Sequence, residues 1–100
     1  MPFAEDMLPR LKPLAKKLLE YDEYGWLSDV ADFIATFRSG KWLRLSIDDQ
    51  ERYLKKMKDT FHVRGMGDSA LGSDSDYVFV ANRVDLELTT ICRAKDENRG

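Results

Sequence analysis

The stretch that decides the fold is Phe61–Ala81, FHVRGMGDSALGSDSDYVFVA. Three glycines (Gly65, Gly67, Gly72) and three acids (Asp68, Asp74, Asp76) stand between a charged helical pattern and the apolar run Tyr77–Ala81. β-Branched and aromatic residues dominate Asp76-Tyr77-Val78-Phe79-Val80-Ala81, so it predicts a strand buried on both faces. A lone strand leaves its backbone N–H and C=O groups unmatched and needs a partner. Three segments qualify: Lys41–Leu45, the chain after Asn82, or the same strand in a second subunit.

Upstream of this stretch the pattern is helical. Leu11, Leu14, Ala15, Leu18 and Tyr21 recur at spacings of three and four, which is one face of a helix. Pro9 and Pro13 each remove a backbone donor and crowd the preceding turn. The expectation is a short turn before Pro9 and a main helix from about Arg10 to Tyr21, with Pro13 the place for a kink. A second helix is predicted from about Tyr24 to Arg38, with Trp26, Leu27, Val30, Ala31, Phe33, Ile34 and Phe37 as its apolar stripe. Ser39-Gly40 stops it, because glycine adopts the left-handed conformation without a Cβ penalty. Lys41–Leu45 reads as a brief strand or an extended connector. Ser46 then has the chemistry of an N-cap, followed by Asp48 and Asp49 in the first turn. That helix runs from Ile47 to about Thr60, buries Ile47, Leu54, Met57 and Phe61, and pairs Glu51 with Lys55 one turn apart.

Residues 82–95 admit two readings. Val84, Asp85, Leu86, Glu87 and Leu88 alternate as in a half-buried strand. Asn82 is also a good N-cap, and Val84, Leu88, Ile91 and Cys92 share a helical face. Asn82-Arg83 makes a poor two-residue hairpin turn, so the helix is favoured. The fold class expected is therefore α+β, mostly α: three to four helices packed with one short β-strand region, in a single domain over residues 1–100.

Composition narrows the function. The chain has 100 residues, 43% hydrophobic and 34% charged, with a net charge of −2. Such a balance gives no general attraction to nucleic acid or to an anionic membrane. Lys55, Lys56 and Lys58, with Arg38, Lys41 and Arg44, read as helix-dipole complements rather than a nucleic-acid patch. No apolar run approaches the ~20 residues of a membrane span. The first residues, MPFAEDMLPRLK, lack the basic-then-apolar order of a signal peptide. With one cysteine, Cys92, no internal disulfide forms, and a reducing cytoplasm is the expected compartment.

Candidate chemistry is sparse. His62 and Cys92 are the single histidine and cysteine, and no nucleophile turn marks either. They are read as a helix-end cap and a small buried hydrophobe. Asp68, Asp74 and Asp76, with Ser69, Ser73 and Ser75 nearby, have oxygen ligands for a hard cation, but not the spacing of an EF-hand. The expectation is a solvated loop with no metal. The glycines precede a strand, lack a lysine and lie among acids, which disfavours nucleotide phosphate. No cofactor is expected. Trp42, just beyond a helix stop, is expected to be half exposed, where tryptophan anchors protein partners.

Trp26, Gly65-Met66-Gly67-Asp68 and Asp76-Tyr77-Val78-Phe79-Val80 followed by Asn82 together resemble a loosely defined group of small bacterial proteins. Its members look like those found beside secreted bacterial toxins, some of which act as immunity proteins. Ser69–Ser75 departs from the pattern and reads as an insertion. The resemblance implies a non-catalytic, cytoplasmic protein that binds a protein partner, in its sharpest form a cognate toxin. The expected partner surface is the acidic loop: Asp68, Asp74 and Asp76 face a cationic site, Met66 or Leu71 fills an apolar pocket, and Trp42 adds an anchor. Competing readings are an oligomerising structural module that dimerises through Tyr77–Ala81 and a phage-type inhibitor of a bacterial defence system. The weakest is an enzyme using His62 with the loop acids.

Overall fold

The computed structural model describes residues 2–61 and 73–99. Five helices account for nearly all of them: α1 (Phe3–Glu20), α2 (Tyr24–Arg38), α3 (Lys41–Arg44), α4 (Ile47–Thr60) and α5 (Ser75–Arg99). The expected α+β class is not what the described residues form, since they contain no strand. Tyr77–Ala81, expected as a strand, lies within the first two turns of α5. Lys41–Arg44 is a single helical turn rather than a strand or extended connector. With no strand at Tyr77–Ala81, dimerisation by strand pairing has no structural basis.

The reason lies in the phase of the apolar residues. Tyr77, Val80, Val84 and Ile91 are buried and Leu88 packs against the same core. Their spacings of three, four and seven continue one helical face straight through Asn82. Val78 is exposed, and Phe79 lies beneath the Arg10 guanidinium, 4.6 Å from its ring centroid. The run is thus apolar around the helix, not on two sides of a sheet. Asp74 starts it: its Oδ1 accepts from the Asp76 N–H at 2.9 Å and the Tyr77 N–H at 3.2 Å, and its carbonyl accepts from the Val78 N–H at 2.9 Å. This is N-cap geometry.

Helix α1 begins earlier than expected and passes through Pro9 and Pro13. The prolines are four residues apart, and the carbonyls they leave without partners belong to Glu5 and Pro9, both exposed residues. Water can satisfy those groups, while Phe3, Met7, Leu11, Leu14 and Leu18 hold the opposite face in the core. Helices α2 and α4 have the expected bounds. Gly40 ends the first with φ 79°, and the Ser46 hydroxyl caps the second by accepting from the Asp49 N–H at 3.2 Å.

Contacts between helices define the topology. α1 packs on α2 and on α5, and α4 packs on α5. Lys17 meets Asp74 and Asp76, Arg10 meets Asp76, and Arg83 meets Asp6, so α1 and α5 run antiparallel. Phe61 meets Tyr77, Lys58 meets Asp85, and Lys95 meets Asp48, so α4 and α5 do too. Phe33 touches Phe61 and Tyr53, and Phe37 touches Tyr53, which sets α2 antiparallel to α4. The result is an up-down-up-down bundle of α1, α2, α4 and α5, with α3 as the corner between the second and third.

A chain of aromatic rings runs through it. Centroids are 5.2 Å apart for Phe3–Trp42, 5.9 Å for Trp42–Tyr53, 5.8 Å for Tyr53–Phe33, 5.8 Å for Phe33–Phe61 and 6.2 Å for Phe61–Tyr77. These separations suit edge-to-face and tilted contacts. Trp42 is 4% exposed, so it is part of this core rather than a half-exposed anchor. Its carbonyl accepts from the Gln50 side chain at 3.0 Å, which fixes the α3–α4 corner.

Candidate functional site

Of the residues marked out by the sequence, Trp42 lies at one end of the bundle, and Asp74 and Asp76 lie at the other. There α1 ends, α2 begins, α4 ends and α5 begins. Met66, Asp68 and Leu71, and likewise His62, lie outside the described residues. Asp74 and Asp76 are described, and both face inward along α1 rather than outward. The Lys17 ammonium bridges Asp74 and Asp76, and the Arg10 guanidinium binds Asp76 at 3.1 Å. Both carboxylates are largely covered. Partial burial pushes the Asp74 carboxyl up, but the Lys17 ammonium and the Tyr77 and Asp76 N–H groups outweigh it, and its pKa falls below the ordinary 3.8. Hydrogen bonds to the same two acids raise the Lys17 pKa above its ordinary 10.5. Asp74 therefore caps α5, both acids clamp it to α1, and their charge is already matched.

That arrangement also bears on cation binding. The Lys17 ammonium, the Arg10 guanidinium and two backbone N–H groups already occupy these carboxylate oxygens, and among the described residues no group of three or more His, Cys, Asp or Glu side chains is placed to hold a metal ion. Cys92 is exposed rather than buried. Its thiol lies 3.8 Å from Glu51 Oε2, in a surface cluster where Lys95 reaches both Asp48 and Glu51. Hydrogen bonds from Lys95 and Lys55 lower the Glu51 pKa, so this carboxylate serves ion pairs.

The feature at this end with the shape of a binding site is a groove between α4 and α5. It has a volume of about 270 Å³ and an apolar floor of Phe61, Tyr77, Val78 and Ala81. Asn82 and the Lys58–Asp85 ion pair, 3.5 Å long, form its rim. The floor exists because α5 is apolar on more than its core face. Val78 and Ala81 lie one helical step from the buried Tyr77 and Val80; Val78 is exposed and Ala81 is partly buried. Sequence reasoning missed this site because it took the same residues for a strand. The apolar excess over one helical face was the available signal.

Among the described helices none is long and apolar enough to cross a membrane. Compared with protein-family models, curated proteins and solved structures, the chain matches none.

Proposed function

We propose that this chain is a non-catalytic protein-binding domain, and in its sharpest form an immunity protein that neutralises a cognate bacterial toxin by occlusion. The observation that carries the reading is the open groove between α4 and α5. A partner's apolar side chain fits its floor of Phe61, Tyr77, Val78 and Ala81, while the Lys58–Asp85 pair and Asn82 supply a polar rim. An apolar centre inside a polar rim is the anatomy of protein interfaces. Such a role needs no cofactor. An exposed free thiol at Cys92 suits the reducing cytoplasm, where a toxin would be met before export.

The test is a growth-rescue assay with toxin domains encoded beside the gene, each expressed with and without this chain. The expected result is restored growth together with a stable complex on size exclusion, both lost on Val78→Asp. A chain that restores growth against none of them and elutes alone beside each removes the reading.

A further inference from the structure

We infer that the α1–α2 turn, Leu19–Tyr24, is a contact surface for a cationic protein partner. The inference deepens the protein-binding reading above and rests on it. Large apolar side chains crowd this turn on the outside: Leu19 is 54% exposed, Tyr21 56% and Tyr24 60%. Single exposed hydrophobics are ordinary, but three within six residues of one turn concentrate apolar surface there. Interleaved with them are Glu20, Asp22 and Glu23, with no basic residue between. Among the described residues none of these three carboxylates makes an ion pair, in contrast to Asp6, Asp74 and Asp76 on the α1–α5 seam. Lys16 lies one turn behind Glu20 on α1 without pairing to it. Three negative charges thus stand in six residues of a chain whose net charge is only −2.

The turn is also held in one shape. The Tyr21 N–H donates to the Lys17 carbonyl at 3.0 Å, the Asp22 N–H to Leu19 at 3.2 Å and the Glu23 N–H to Leu18 at 2.9 Å. The Tyr24 hydroxyl donates to Asp22 Oδ1 at 2.8 Å, which anchors the ring's polar tip. A fixed turn and two-torsion tyrosine side chains leave little freedom to lose on binding. Tyrosines supply contact area, and uncompensated carboxylates choose a partner of opposite charge and speed its approach. Because Lys17 touches Asp76 in the first turn of α5, this surface lies at the same end of the bundle as the α4–α5 groove.

The experiment immobilises the whole chain and selects binders from a random peptide library displayed on phage. Two variants serve as controls, Tyr21→Ser/Tyr24→Ser and Glu20→Lys/Glu23→Lys. Circular dichroism and thermal unfolding establish that both fold. The expected result is enrichment of sequences combining Lys or Arg with an apolar residue. Each variant binds those sequences at least about tenfold more weakly, and salt raised from about 0.05 to about 0.5 M weakens wild-type binding about tenfold, as screened charge attraction requires. Enrichment without cationic bias, or binding retained by both variants, overturns the inference. Growth rescue that survives both variants leaves neutralisation standing and removes this surface. Cationic capture by the turn with no toxin rescued does the reverse.

Discussion

The Tyr77 hydroxyl donates to the Phe61 carbonyl at 2.7 Å in a buried setting, joining residues 16 apart in sequence. Phe61 is the C-cap of α4 and Tyr77 lies in the first turns of α5. The bond therefore satisfies an end carbonyl of one helix with a core side chain of the next. Tyr77→Phe keeps the ring in the aromatic chain and leaves that carbonyl unmatched, so unfolding should become easier by about 1–3 kcal/mol. Denaturant titration measures it. A change inside experimental error would show that water replaces the bond.

Acid should loosen the α1–α5 seam in a way that depends on Asp74. Its folded pKa lies below the ordinary 3.8, so its contribution is whole above 3.8 and is lost as pH falls through the lower folded value. Lys17 has the opposite sign: raised above 10.5, it contributes fully below that pH and loses its part as pH climbs through the raised value. Asp74→Asn keeps an N-cap oxygen but removes the charge, so the acid limb of stability against pH should flatten. Asp74→Ala also removes the cap and should cost about 1 kcal/mol more near neutrality. Identical pH profiles for wild type and Asp74→Asn would contradict this account.

Leu86 separates a helical from an extended reading of the second half of the chain. It is 60% exposed and sits mid-way along α5, so changing it disturbs little packing. Leu86→Pro should destabilise by about 3 kcal/mol or more, because proline breaks a helix interior. Leu86→Ala should be nearly neutral. Equal stability of the two variants would mean that α5 does not extend through this residue.

Trp42 should report a dry environment. With Trp26→Phe removing the other indole, emission should be blue-shifted in the native protein and move red on unfolding. Trp42→Ala should cost about 3–5 kcal/mol, as expected for emptying a buried aromatic site. Native emission already at the solvent-exposed position would return Trp42 to the surface.

Helices α2 and α4 were legible because local signals agreed: a wide apolar stripe closed by Gly40, and the Ser46 cap ahead of Asp48 and Asp49. The true start of α1 was hidden by Pro9 and Pro13. Their cost depends on which way the helix faces, and packing decides that. Tyr77–Ala81 misled for a different reason. A short unbroken apolar run has no period of its own, and β-branched residues tip it toward a strand. The wider spacing from Tyr77 through Val80, Val84 and Leu88 to Ile91 carried the helical period, and Asp74 carried the cap.

The candidate site was less legible than the fold. Asp74 and Asp76 stood out as acids in a polar stretch, but which cations lie opposite is a matter of tertiary contact. Lys17 is 57 residues from Asp74 and Arg10 is 66 from Asp76. The groove depends on how the end of α4 and the start of α5 lie side by side, a relation between two elements that no local pattern encodes. The α1–α2 turn could have been noticed from LEYDEY alone, but its exposure could not.

Since α5 supplies the packing surface for both α1 and α4, the order of synthesis on the ribosome has a consequence. When α1, α2 and α4 have emerged, Met7, Leu11, Leu54 and Met57 still lack the neighbour that completes their enclosure, and Arg83 has yet to reach Asp6, 77 residues upstream. The nascent chain must keep a sticky, protease-sensitive surface in view until α5 is translated. A premature stop within α5 should therefore yield a species that chaperones hold and proteases clear, rather than a smaller working protein.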